Sequence, residues 1–134
     1  MPINNNNSVD KSAYRPVFLN LLAIRLPVGG VVSILHRVTG VLLVLLTPFG
    51  IYLLDRSLSD AGFFVQLQTW LSQMWFQITL LLICGLLLQH FFSGLRHLAL
   101  DIDWGIDRQT ARITAWLTFA GTILLLIVTG IWLQ

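Results

Sequence analysis

Two islands of polar side chains interrupt long apolar stretches of this chain, and both contain groups able to do chemistry. The first is His90, Gly94, Arg96 and His97, near the end of the run Leu80 to Leu100. The second is Ser33, His36 and Arg37, at the start of another apolar segment. An arginine at the bilayer centre costs about 2.5–3.5 kcal/mol on insertion scales, so such groups persist where they face a partner, a cofactor or water. On a helix, residues four apart nearly share a face and residues seven apart differ by about 20°. His90, Gly94 and His97 therefore form one stripe. The missing side chain at Gly94 would let a flat, bulky group approach the backbone one turn from His90. A porphyrin plane with neutral imidazole as axial ligand is one such group. The plainer reading is a histidine hydrogen-bonded to a neighbouring helix, with Arg96 and His97 reaching toward lipid headgroups.

The two histidines of this stripe lie about 10 Å apart along the axis, so one helix cannot supply both axial ligands to one iron. His36 is the only other histidine. Its cluster is level with His90 to His97, so the two clusters can converge on one layer of the membrane. His36 itself begins its span and is expected too near the membrane surface to supply the opposite ligand. If His90 binds iron, the opposite ligand is expected from a second membrane subunit. Arg96 and His97, closer to the surface, suit charge-assisted bonds to haem propionates. Ser33 and Arg37 are four apart, and their hydroxyl and fixed cation suit the carbonyl groups of a lipid-soluble quinone. They equally suit a helix start anchored to lipid phosphate.

These residues need membrane-spanning helices to position them. The chain has 134 residues, 56% hydrophobic and 10% charged, with mean hydropathy +0.79. Soluble domains carry about 25% charged residues, so an all-α integral membrane protein is expected. Spans of about 20 apolar residues are needed. Three are predicted, at Val31 to Leu54, Leu71 to Leu100 and Ile113 to Leu133. Together, residues 31–133 form one three-helix transmembrane domain after an N-terminal segment, residues 1–30. Ser57 to Gln68 reads as a loop with an interfacial turn, and Asp101 to Arg112 as a polar loop. Trp70, Trp75, Trp104, Trp116 and Trp132 fall near span ends, as interfacial aromatics do. Pro48 and Gly50 lie inside the first span, where a local kink is expected.

Lys11, Arg15, Arg25, Arg37, Arg96, Arg108 and Arg112 fall on one side of this topology and only Arg56 on the other. The positive-inside rule then places the N-terminus in the cytoplasm and the C-terminus opposite. The opening residues lack both a secretory apolar core and the arginine richness of a transit peptide, so a bacterial inner membrane is the expected location. A single cysteine, Cys84, excludes an intrachain disulfide and reads as a packing residue. A net charge of +2 without basic runs gives no sign of nucleic-acid binding.

Two spaced signatures resemble the family of cytochrome b556 membrane-anchor subunits of succinate dehydrogenase, respiratory complex II. The first reads Arg15-Pro16-Val17, Leu21, Val28, Ser33, His36-Arg37 and Thr39-Gly40; the second reads His90, Gly94-Leu95-Arg96-His97 and Asp101. Leu100 and Asp103 depart from the family pattern, which bears on local loop contacts only. The resemblance implies a non-catalytic subunit of an oxidoreductase, paired with a second small three-helix anchor. It implies a b-type haem shared between the two anchors, with His90 as the ligand to iron. It further implies Ser33 and Arg37 in a ubiquinone site, with His36, Arg37 and His97 as candidate propionate contacts. An iron–sulfur subunit and a flavoprotein subunit would dock at the cytoplasmic face. The alternatives are a fumarate reductase anchor and a helical scaffold without a redox group. A two-haem cytochrome would need two pairs of axial histidines, and the chain has three histidines.

Overall fold

The computed structural model describes residues 26–133 and forms four helices. They are α1 (Val28–Ser59), α2 (Ala61–Leu71), α3 (Met74–Asp101) and α4 (Arg108–Trp132). The part of the first signature from Arg15 to Leu21, and the cations Lys11, Arg15 and Arg25, lie outside the described residues. Three of the helices, α1, α3 and α4, are long and apolar enough to cross a membrane. Pro27 is the N-cap of α1, where its missing N–H costs nothing, and the helix continues without interruption through Pro48.

The helices outrun the expected spans at several ends. Helix α1 begins at Val28 rather than Val31 and runs past Leu54 to Ser59, and α4 begins at Arg108, within the segment expected as a loop. The segment after Ser59, read as a loop, is mostly the eleven-residue helix α2. Asp60 explains it, because its carboxylate accepts from the N–H groups of Gly62 at 2.8 Å and Phe63 at 3.1 Å and so caps the new helix. Arg56 steadies the corner, 3.6 Å from Asp60 and stacked over the Phe63 ring. The second span consequently starts at Met74 rather than Leu71, which ends α2. Between α3 and α4 the chain turns through Asp103 (φ 58°) and Gly105 (φ 75°). A side chain at Gly105 would be strained and would crowd Thr110. Asp107 then caps α4, accepting from Gln109 N–H at 3.1 Å and Thr110 N–H at 3.0 Å. The Thr110 hydrogen bonds hold the Asp107 carboxyl below the usual carboxylate range.

Helix α3 is the spine, packed against α1 on one side and α4 on the other. What lies inside is small or polar: Val32, Thr39, Gln89, Ser93, Ala115, Thr118 and Thr122 are buried. The large apolar side chains face outward. Lipid tails are as apolar as leucine, so packing in a membrane rewards close approach and interhelical hydrogen bonds instead. Gly121, for example, lets the Phe92 ring lie where a Cβ would meet it at 3.2 Å. Gln89 donates to the Ser93 hydroxyl at 3.0 Å and accepts from the Thr122 hydroxyl at 3.0 Å, which ties α3 to α4.

Candidate functional site

All three histidines meet in one column between α1 and α3. The His36 and His90 rings stack with centroids 4.2 Å apart and planes at 12°. His36 and His97 stack at 4.9 Å and 22°. His90 and His97 are separated by two turns of α3, about 10 Å, so His36 fills the gap between them. The two polar clusters thus converge on one layer as expected, while His36 proves not to be held away from His90 by its place near the start of the span. Its helix begins at Val28 rather than Val31, so His36 sits about 12 Å into α1 at 1.5 Å per residue. The flat group over Gly94 is therefore the His36 imidazole, whose Nε2 a Cβ at that position would meet at 3.3 Å.

The stripe expected on α3 is present, but Arg96 does not belong to it. Its guanidinium donates to the Thr114 hydroxyl at 3.3 Å and to the Ala111 carbonyl at 3.2 Å on α4, and it lies under Gly29 at the start of α1. Six residues from His90 amount to about 240° of helix rotation, against about 20° short of a full turn for His97. Arg96 thus fastens helix ends instead of joining His97 toward a shared anion. His97 Nδ1 donates to the Ser93 carbonyl at 2.6 Å. Asp101, the last residue of α3, is exposed.

His90 is the most constrained of the three rings. Its Nδ1 lies 3.1 Å from the His36 carbonyl oxygen and 3.3 Å from the Thr39 hydroxyl. A carbonyl has no proton to give, so Nδ1 carries the N–H and donates. Nε2 is left with its lone pair and takes no hydrogen bond among the described residues. A carbonyl on one ring nitrogen and a bare lone pair on the other is the arrangement in which histidine ligates metals.

Beside the ring runs an open groove of about 520 Å³, lined by His36, Arg37, Gly40, Val41, Val44, Leu45 and His90. Its walls are aliphatic, with the exposed Arg37 as the charged group at one end. Ser33 lies one turn before Arg37, half-buried and outside the groove lining. The donor set suits one side of a haem, with a single imidazole nitrogen, apolar walls for the macrocycle and a cation for a carboxylate. It does not suit a three-histidine metal centre. Stacked rings hold their nitrogens in parallel planes, and no group of three His, Cys, Asp or Glu among the described residues is placed to hold an ion.

The model of the succinate dehydrogenase/fumarate reductase transmembrane subunit family matches residues 11–129. The chain belongs to this family. Among its relatives is a succinate dehydrogenase cytochrome b556 subunit of Coxiella burnetii, 32% identical over 123 residues, covering 91% of this chain and 98% of the relative. The subunit of that name from Paracoccus denitrificans is 28% identical over 118 residues, covering 86% and 88% respectively. That of Rickettsia conorii is 27% identical over 111 residues, covering 83% and 86%. Family membership and three apolar spans agree in making the chain an integral membrane protein. Both signature segments fall within the matched residues, and their described parts meet at the histidine column.

Thr39, Gly40 and Gln89 acquire contacts that the sequence reading gave no role. The first two stood in the signature without a chemical reason. Gln89 adjoins His90 in an apolar run, where a buried amide was a signal for an interhelical bond.

Proposed function

We propose that the chain is the larger membrane anchor of a bacterial succinate dehydrogenase, seated in the inner membrane with its N-terminus in the cytoplasm. It pairs with a second small anchor and, at the cytoplasmic face, with iron–sulfur and flavoprotein subunits. Electrons from succinate pass through the iron–sulfur subunit to ubiquinone. The three relatives named as succinate dehydrogenase subunits favour this direction over fumarate reduction.

The observation that carries the reading is the His90 ring, with Nδ1 held by the backbone, Nε2 free of hydrogen bonds among the described residues, and the ring lining an outward groove. His90 ligates the iron of haem b through Nε2. A second protein ligand would come from the partner anchor, since His36 and His97 are stacked with His90 in one column. Haem supplies a one-electron store at this depth. Arg37 stabilises negative charge as it develops on the quinone oxygen, with its cation already in place. Ser33 orients the quinone ring by a hydrogen bond, while His36, Arg37 and His97 offer donors to the haem carboxylates.

The test is the reduced-minus-oxidised optical spectrum of the purified complex. A b-type band is expected in the wild type and its loss or strong alteration in His90→Ala. An unchanged band in the variant refutes the ligand assignment. A wild-type complex with no haem band leaves only the scaffold reading.

A further inference from the structure

We propose that Thr39 and Gly40 are positioning residues that fix the tautomer and tilt of the His90 ring and so aim its Nε2 into the groove. This rests on His90 being the haem ligand. Thr39 is buried, with only 3% of its surface exposed. Its hydroxyl has one proton and two carbonyl oxygens in reach, Leu35 at 2.7 Å and His36 at 3.0 Å. With that proton given to α1's own backbone, the hydroxyl lone pairs face His90 Nδ1 at 3.3 Å. The Nδ1–H thus sees two acceptors, the His36 carbonyl and the Thr39 hydroxyl. Moving the proton to Nε2 would leave Nδ1 facing a carbonyl that cannot donate. It would also force the hydroxyl to abandon its 2.7 Å bond. The proton stays on Nδ1, and Nε2 stays a ligand.

Threonines in helices commonly bond back to their own backbone, as Thr47, Thr69, Thr79 and Thr129 do here. Those four are exposed or half-buried at lipid-facing positions. Thr39, like Thr122, differs in being buried and in having a second partner on another helix, and in Thr39 that partner is a histidine ring nitrogen.

Gly40 acts on the ring's edge. A Cβ there would lie 3.0 Å from His90 Cε1 and 3.4 Å from Nδ1. Cε1 joins the two ring nitrogens, so displacing it swings Nε2. The ring cannot yield freely, because His36 covers one face at 4.2 Å. Gly50, in the same helix, has nothing within 4 Å of its Cβ position, so α1 does not demand such clearance everywhere.

The test uses the purified whole complex with Thr39→Val, Thr39→Ser and Gly40→Ala beside wild type and His90→Ala. Haem content, the optical spectrum and the haem midpoint potential are measured. Losing a partner of a ligating histidine weakens metal-site binding about 10–100-fold, and the same loss of haem affinity is expected in Thr39→Val and Gly40→Ala. The potential of Thr39→Val should rise, because an imidazole whose N–H has lost an acceptor is a weaker donor to iron. Thr39→Ser keeps the hydroxyl and should stay within about twofold of wild type in affinity. The proposal is overturned if Thr39→Val matches wild type in potential and haem content. It is equally overturned if Thr39→Ser falls as far as Thr39→Val, since the methyl and not the hydroxyl would then matter. Should Gly40→Ala fail to assemble, the Thr39 pair alone decides. Failure of the underlying ligand assignment shows separately, as a His90→Ala spectrum unchanged from wild type.

Discussion

Gln89 ties α3 to α4 inside the bundle, and its replacement by leucine tests whether polar contacts hold these helices together. Leucine keeps the bulk, so no large cavity opens. The variant loses the bond from Thr122 at 3.0 Å and the bond to Ser93 at 3.0 Å, while Thr122 keeps its 2.9 Å bond to the Thr118 carbonyl. Side-chain bonds between membrane helices average about 0.6 kcal/mol, with a maximum near 1.7. The one bond that crosses helices, from Thr122, gives about 0.6 kcal/mol, or about a threefold shift in an unfolding equilibrium, the Ser93 bond lying within α3. Reversible unfolding of the purified anchor pair in bicelles measures it. Combining Gln89→Leu with Thr122→Val in a double-mutant cycle isolates the interhelical term, expected at about 0.6 kcal/mol. A coupling of zero would refute the reasoning, and so would a stabilised single variant. The haem spectrum should not change, because this network faces α4 while His90 faces α1.

Arg37→Ala should slow quinone reduction by up to about 10²-fold, the scale seen when a preorganised donor is removed. Succinate oxidation by a soluble artificial acceptor should hardly change; equal loss of both would indicate failed assembly. Gly121→Val should destabilise α3–α4 packing by about 1–3 kcal/mol, because the added side chain meets the Phe92 ring, and bicelle unfolding again reads it. Asp107 caps α4 as a carboxylate whose pKa is lowered on folding by its Thr110 bonds. Its contribution is therefore full above the ordinary carboxylate range and is lost as pH falls through the folded value. Amide exchange at Gln109 and Thr110, corrected for intrinsic rates, should accelerate at that low pH in wild type. In Asp107→Ala it should be fast throughout.

Much of this fold was written in helical phase, which a single sequence records well. The stripe of His90, Gly94 and His97 could be read directly, and so could the three spans. Ring contact is different, because it depends on where a helix begins and on which neighbour sets its register. Phase and span ends set the His36 cluster level with His90 to His97, but do not say that the His36 ring slots between the other two, which the packing of α1 on α3 decides. The same limit hid the partner of Gly94, since a gap in one helix does not say which group fills it. Helix α2 was legible in principle. Asp60 ahead of the apolar run Phe63 to Leu71 is an N-cap signal, overlooked because Asp60 and Gly62 also suit a loop. Arg96 was misassigned by proximity in sequence to His97, although its phase already placed it on another face.

The inversion of this bundle, with hydroxyls and amides within and aliphatic bulk without, bears on how it finds its companions. A wall of valine and leucine looks to another protein much as it looks to acyl chains, and so carries little address. Along the groove beside His90, the address must be written by His36, Arg37 and His90 themselves. A neighbour able to satisfy those three is selected, and others drift past. Electron chemistry and choice of companion would then be governed by the same handful of atoms, so a change that spoils one would be felt by the other.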